Sequence, residues 1–320
     1  MIHNIWKKLT EQEHLYRMER SLQKKMLKCE NEEQWEKLNQ RRKKIRRQRH
    51  RIQTRCRMMA VAGIILLTAG TVKLGMEAFT GDCILGTDEF FAWDTGLPAY
   101  YNLYGPEYFL KNVRSIFEED DLTVVNMEGT LTEETTRVDK QFAFKGDPEY
   151  VKILTSSSVE AANIANNHSH DYGEKSFQDT VQTLEENGIK TFGYDDVAVL
   201  EVKGIRVGMF GIYELDDHLE RIPHVVQGID EYKGKMIAYS LGNFCFGGNT
   251  HPTEMDTFIF QQKFILDGKR NITGSEYKVI PCRVSSETTY NNYQPTPLVG
   301  EEAKETMDKI EERSQEINNG

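Results

Sequence analysis

The stretch that most constrains the fold runs from Val159 to Gly173, V-E-A-A-N-I-A-N-N-H-S-H-D-Y-G, where a small-residue apolar run stops in a cluster of amides, imidazoles and a carboxylate. Val159 to Ala165 has the length and composition of a strand covered on both faces. Gly173 opens a helical pattern that ends at Asn187-Gly188. In open α/β sheets ligands bind at the carboxyl ends of strands, so Asn166, Asn167, His168, His170 and Asp171 fall where chemistry is usually done.

Charge divides the 320-residue chain. Residues 1–57 hold about 18 Lys and Arg against about 7 Asp and Glu, although the whole chain carries -10. The remainder is therefore strongly acidic, which argues against nucleic acid as a partner, because phosphate contacts need clustered cations. No glycine or proline interrupts residues 1–57, which favours one or two long solvated helices, with Leu9, Leu15, Leu22, Met26 and Leu38 as a loose apolar stripe.

The basic run Arg41 to Arg57 abuts an uncharged segment, Met58 to Val72, closed by Lys73. As a helix this segment covers roughly 22 Å of a hydrocarbon core of about 30 Å, enough if Arg57 and Lys73 snorkel. The expectation is an uncleaved signal anchor, 58–72, with the basic segment 1–57 in the cytoplasm and the acidic body outside. A buried strand or helix segment is the alternative.

From Lys73 onward the pattern is mixed α/β. Strands are expected over Lys73 to Thr80, Leu122 to Asn126, Ala198 to Val202 paired with Ile205 to Ile212, Met236 to Ser240, and Thr257 to Leu266 paired with Tyr277 to Val284. Helices are expected over Pro106 to Glu119, from Asp147-Pro148, and from Glu301 to Ile317, the last within a terminal tail, 301–320. The five cysteines form no C-x-x-C pair, so a zinc knuckle is not indicated. A disulfide among Cys83, Cys245 and Cys282 is conceivable if the body is exported.

Several expected strands end in a metal-ligand residue type: Asp82, Glu128, Asn167 with His168, and His224 follows later. Divalent cations such as manganese, iron or zinc take this mixture, since carboxylates neutralise them while imidazole and amide oxygen complete the shell. His168, His170 and Asp171 then become candidates for holding a water or ligand in place.

The series A-F-T-G-D-C-I-L-G-T-D (78–88), V-V-N-M-E-G-T-L (124–131), F-K-G-D-P (144–148), A-N-N-H-S-H-D-Y-G (165–173), P-H-V-V-Q-G-I-D-E-Y-K-G-K (223–235) and Y-S-L-G-N-F-C-F-G (239–247) resembles the bacterial CapA family of capsule and poly-gamma-glutamate synthesis proteins. The resemblance covers about residues 73–300. It implies a calcineurin-like metallophosphatase fold, a two-sheet α/β sandwich with flanking helices, usually on an anchored, exported chain. By motif, Asp82, Glu128, Asn167, His168 and His224 would be metal-site positions.

One departure stands out. In that family a strand bearing His-Trp-Gly, with flanking helices, lies between the segments matching Gly211 to Leu215 and Pro223 to Val225, and a Gly-His-His precedes the latter. Here only Asp216 to Ile222 joins them, so a strand-helix unit of roughly 30 residues is missing, and two expected histidine ligands with it. Three functions follow from the resemblance: a membrane-anchored metal-dependent hydrolase acting on an anionic polymer or phosphoester, a non-catalytic component working with other capsule-synthesis membrane proteins, or a metallophosphoesterase on another substrate.

Overall fold

The computed structural model of the chain describes Met18 and residues 37–41, 43–45, 65–68, 75–203, 205–212, 224–267 and 271–319. The chain divides into two compact units, Met1–Gly63 and Ile64–Gly320. In the first, every described residue is helical.

The second unit contains strands β1 (Ile65–Thr68), β2 (Gly75–Ile84), β3 (Thr87–Asp88), β4 (Leu122–Met127), β5 (Thr130–Leu131), β6 (Phe144–Gly146), β7 (Ala161–Asn163), β8 (Lys190–Phe192), β9 (Val197–Val202), β10 (Ile205–Phe210), β11 (Ile229–Tyr232), β12 (Lys235–Ala238), β13 (Asn243–Phe246), β14 (Asp256–Leu266), β15 (Ile272–Arg283) and β16 (Thr296–Pro297). Its helices are α1 (Leu97–Tyr104), α2 (Arg114–Glu119), α3 (Val151–Thr155), α4 (Gly173–Glu186) and α5 (Gly300–Asn319).

The main sheet runs β16-β15-β14-β2-β4-β7-β8, with β2, β4, β7 and β8 mutually parallel and β14 antiparallel to β2. β14 pairs with β2 over Gly75 to Phe79, and β13 then pairs in parallel from Asp82. Both faces of the parallel strands are covered, so they read as apolar runs. One face packs against the helices through a core that includes Leu97, Phe117, Ile153, Leu154 and Leu184. On the other, Ala198 and Val202 of β9 and Ile205, Val207 and Met209 of β10 pack on Leu122, Val124, Ala161 and Phe192. Each of the larger apolar side chains contributes about 1.5–3 kcal/mol by leaving water. The result is a small antiparallel sheet, β1-β10-β9, laid on a larger one, an α/β sandwich that fits a calcineurin-like fold.

Two expectations need correction, the helix over Pro106 to Glu119 and a disulfide, and a third, the anchor, lies mostly outside the described residues. The helix expected over Pro106 to Glu119 is broken into a single 3-10 turn, Pro106–Tyr108, and α2. Burial of Phe109, Leu110 and Val113 outweighs helix propensity there, and the Tyr108 carbonyl accepts from Gln294 Nε2 at 2.7 Å. Of the expected anchor 58–72, only Ile65–Thr68 is described, and those residues form β1, antiparallel to β10. Among the described residues no helix is long and apolar enough to cross a membrane. Cys83, Cys245 and Cys282 are buried free thiols. The junction Asp216 to Ile222 lies outside the described residues.

One buried charge on β2 has a measurable consequence. Glu77 is 1% exposed, and its Oε2 has no hydrogen-bond partner among the described residues. Burial, with the Asp121 and Asp120 carboxylates second, pushes its carboxyl from 4.5 up to about 8. The folded chain thus keeps a proton that the unfolded chain releases earlier, so stability falls as pH climbs from about 4.5 to about 8. Glu77→Gln is expected to raise unfolding free energy at pH 9 by about 1–3 kcal/mol and to change little at pH 4, read by urea denaturation.

Candidate metal centre

A row of polar side chains crosses four parallel strands at matched register. Asn243 of β13 stands opposite Asp82 of β2, Asp82 opposite Asn126 of β4, and Asn126 opposite Asn163 of β7. Asn163 Nδ2 donates to Asn126 Oδ1 at 2.9 Å, and Asn126 Nδ2 donates to Asp82 Oδ1 at 2.8 Å. This chain of donors aims Asp82 and leaves its other oxygen for His224, whose Nδ1 lies 2.9 Å from Asp82 Oδ2. Close backbone approach permits the row. A Cβ on Gly81 would sit 1.8 Å from the Gly242 carbonyl oxygen, and one on Gly211 would sit 2.0 Å from Asn163 Oδ1.

Glu128, just past β4, stands beside this row. It is 1% exposed, and its Oε1 has no hydrogen-bond partner among the described residues. That oxygen lies 3.8 Å from His168 Nε2 and 3.7 Å from His224 Nδ1. Each of the three residues offers one ligand atom, and these atoms lie within 4.8 Å of one another. Burial holds the Glu128 carboxyl well above the usual carboxylate range, and the Asp82 charge pushes it further the same way.

Hydrogen bonding fixes the state of His168. Its Nδ1 is 2.7 Å from Asp171 Oδ2, a carboxylate oxygen that also accepts from the Phe144 N–H at 2.5 Å. Lys140 Nζ donates to Asp171 Oδ1 at 2.5 Å and to the Asn167 carbonyl at 2.9 Å. Lys140 Nζ also lies 3.1 Å from Nδ1, but the carboxylate oxygen is nearer, at 2.7 Å, and can only accept, which assigns the ring proton to Nδ1, facing Asp171. Burial lowers the His168 pKa, which keeps the ring neutral. Nε2 therefore presents a lone pair toward Glu128. A carboxylate–histidine pair of this kind is how proteins orient an imidazole toward a metal.

The fold thus gathers Asp82, Glu128, His168 and His224 and places Asp171 behind His168. Asn167 contributes its carbonyl to Lys140, whereas the amide entering the network is that of Asn166, which donates to Asn126 Oδ1 at 3.2 Å and to the Met127 carbonyl at 2.8 Å. His170 lies elsewhere. Its ring stacks on Phe177 at 4.5 Å, stands edge-on to Tyr194, and approaches Glu174 at 3.7 Å. Sequence reasoning passed over Asn163, Asn243 and Lys140. The two asparagines carried a signal, since each is a polar residue inside or bordering an apolar strand; Lys140, in a loop, carried none.

The donors present fit a divalent cation: an orphaned buried carboxylate oxygen, two imidazole nitrogens, and a second carboxylate at the edge. A two-sheet α/β sandwich with such a cluster beside its parallel strands fits a metallophosphatase-like architecture. Within that class the chain belongs to the bacterial capsule synthesis protein PGA_cap family, whose profile matches residues 77–221 and 219–248.

Two relatives carry names. The chain is 28% identical over 121 residues to the capsule biosynthesis protein CapA of Bacillus anthracis, a match covering 34% of this chain and 29% of that protein. It is 21% identical over 260 residues to the PGA biosynthesis protein CapA of Bacillus subtilis (strain 168), covering 58% of this chain and 67% of that protein. The chain thus spans under a third of the length of the first relative and about two thirds of the second.

Proposed function

We propose that this chain serves capsule or poly-gamma-glutamate biosynthesis through a divalent cation held by Glu128, His168, His224 and Asp82, with cleavage of a phosphoester or amide by water as its reaction. The observation that carries this reading is the buried Glu128 Oε1, which lacks any partner among the described residues and is faced by two imidazole nitrogens. Without a cation the arrangement leaves a desolvated carboxyl uncompensated.

When bound, the cation supplies Lewis acidity and a water made acidic enough to act near neutral pH. The chain's own residues do the rest. Asp171 holds the His168 ring in the tautomer that presents Nε2, and Lys140 neutralises the buried Asp171 charge. Asn126 keeps Asp82 aimed at His224. An anionic polymer would be repelled by the acidic body, so the cation is the group that would draw it in.

The test is turnover of a generic phosphodiester by purified, manganese-loaded chain. His168→Ala is expected to abolish both activity and cation binding; activity that survives the substitution rules this centre out. The second reading, a non-catalytic assembly component, is favoured by the junction near 219–221. The family profile matches in two pieces that meet there, and the Bacillus subtilis alignment is longer than the number of residues it takes from this chain, as a missing unit requires. Cation binding without turnover favours that reading.

Membrane attachment is part of the proposal, supported by the uncharged run 58–72 beside a strongly basic flank. Resistance of the full-length chain to alkaline carbonate extraction is the expected result; release into the soluble fraction contradicts it.

A further inference from the structure

A second buried oxygen in the same neighbourhood lacks a partner. Asn243 is 7% exposed, and its Oδ1 accepts no hydrogen bond among the described residues. Its other amide atom is engaged, since Nδ2 donates to the His224 carbonyl at 3.3 Å. Rotating the amide by half a turn would set two acceptors against each other, so the oxygen is the atom left over.

Register and the Nδ2 bond set this residue beside the candidate ligands. Asn243 begins β13 and stands in register with Asp82, and the Asp82 N–H donates to the preceding residue's carbonyl, Gly242 O, at 3.0 Å. Through Nδ2 it holds the backbone of His224, whose ring meets both Asp82 and Glu128. A buried amide oxygen without a donor is costly, so an unpartnered one on a residue opposite Asp82 and bonded to the backbone of His224 points to an occupant.

We propose that Asn243 belongs to the cation site, its Oδ1 serving as a neutral oxygen ligand alongside Asp82 and His224. This rests on the reading of the Glu128 cluster as a cation centre. A neutral donor suits the charge balance there, because two carboxylates already match a divalent ion and a third would overcharge the buried site. The fixed Nδ2 bond removes the rotamer freedom that ligation would otherwise have to freeze.

The full-length chain, solubilised in detergent and stripped with a chelator, is titrated with manganese(II), and free ion is read by electron paramagnetic resonance. Asn243→Ala is expected to weaken binding about 10–100-fold. Asn243→Asp keeps an oxygen at the same reach but cannot donate to the His224 carbonyl and adds a third carboxylate, so it is expected to bind less tightly than the parent and more tightly than the alanine variant. If the alanine variant fails to fold, Asn243→Ser, too short to ligate from the same backbone, carries the comparison with the same expected loss.

Three results overturn the proposal. Parent-like affinity in the alanine or serine variant means that Oδ1 meets only a water. An aspartate variant as weak as alanine means that the Nδ2 bond, a structural contact, is the whole effect. No manganese binding by the parent chain removes the cation centre itself, and is thereby distinguished from the first two.

Discussion

Glu128→Gln is expected to stabilise the cation-free chain while destroying its capacity to bind divalent metal. The carboxyl is fully buried, its Oε1 is unpartnered among the described residues, and burial with the Asp82 charge raises its pKa. A raised folded-state pKa means that the cation-free fold loses stability as pH rises above the ordinary carboxylate range, because the unfolded chain releases its proton first. Glutamine removes that cost and can donate from Nε2. Unfolding free energy at pH 8 should rise by about 1–3 kcal/mol, and the gain should vanish toward pH 4. Manganese affinity should fall by at least about 100-fold, equivalent to about 2.8 kcal/mol. Urea denaturation across pH and a manganese titration measure the two arms. A variant that loses stability at pH 8 contradicts the assignment of Glu128 as a group kept for a ligand.

The second large effect is destabilising. Asp171, 1% exposed, receives the Phe144 N–H, the Lys140 ammonium and the His168 Nδ1–H, and its own carbonyl accepts from the Val138 N–H at 2.9 Å. It ties the turn after β7 to the start of β6. Asp171→Ala strands three donors, one of them a charged ammonium, and breaking a buried pair in this way costs about 3–5 kcal/mol. A thermal or urea midpoint reads the loss. Asp171→Asn should recover part of it by still accepting from Phe144, but should weaken cation binding, because an amide favours neither the His168 tautomer nor the Lys140 charge. Equal cation affinity in the asparagine variant would show that the tautomer is set elsewhere.

Much of this site was legible from Val159 to Gly173, because an apolar run ending in unpaired polar groups has few physical explanations other than a buried strand delivering ligands. The strand itself proved shorter, Ala161–Asn163, since its pairing with β4 and β8 spans only those residues. Asp82, Glu128, His168 and His224 could be picked out one by one by residue type, but their meeting depends on the parallel register of β2 and β4 and on the chain's return to His224.

The asparagine row was harder to read. A single Asn within a strand suits a turn or bulge equally well, and only the register across β13, β2, β4 and β7 makes the four polar positions one feature. His170 misleads because a sequence spacing of two says nothing about which way a turn residue faces; stacking on Phe177 decides it. The residues Ile65–Thr68 show a similar ambiguity, since a short uncharged run of Ile, Leu and Thr satisfies a strand as readily as a membrane segment.

The claim on which the rest depends is that Glu128, His168 and His224 enclose a cation. Anomalous diffraction at the zinc edge, from crystals of the chain grown with zinc, tests it most directly. The expected result is a strong peak about 2.0–2.2 Å from Glu128 Oε1, His168 Nε2 and His224 Nδ1. A map with no peak among these three atoms, in crystals where Glu128 Oε1 instead accepts a hydrogen bond from a water or a protein donor, would contradict it.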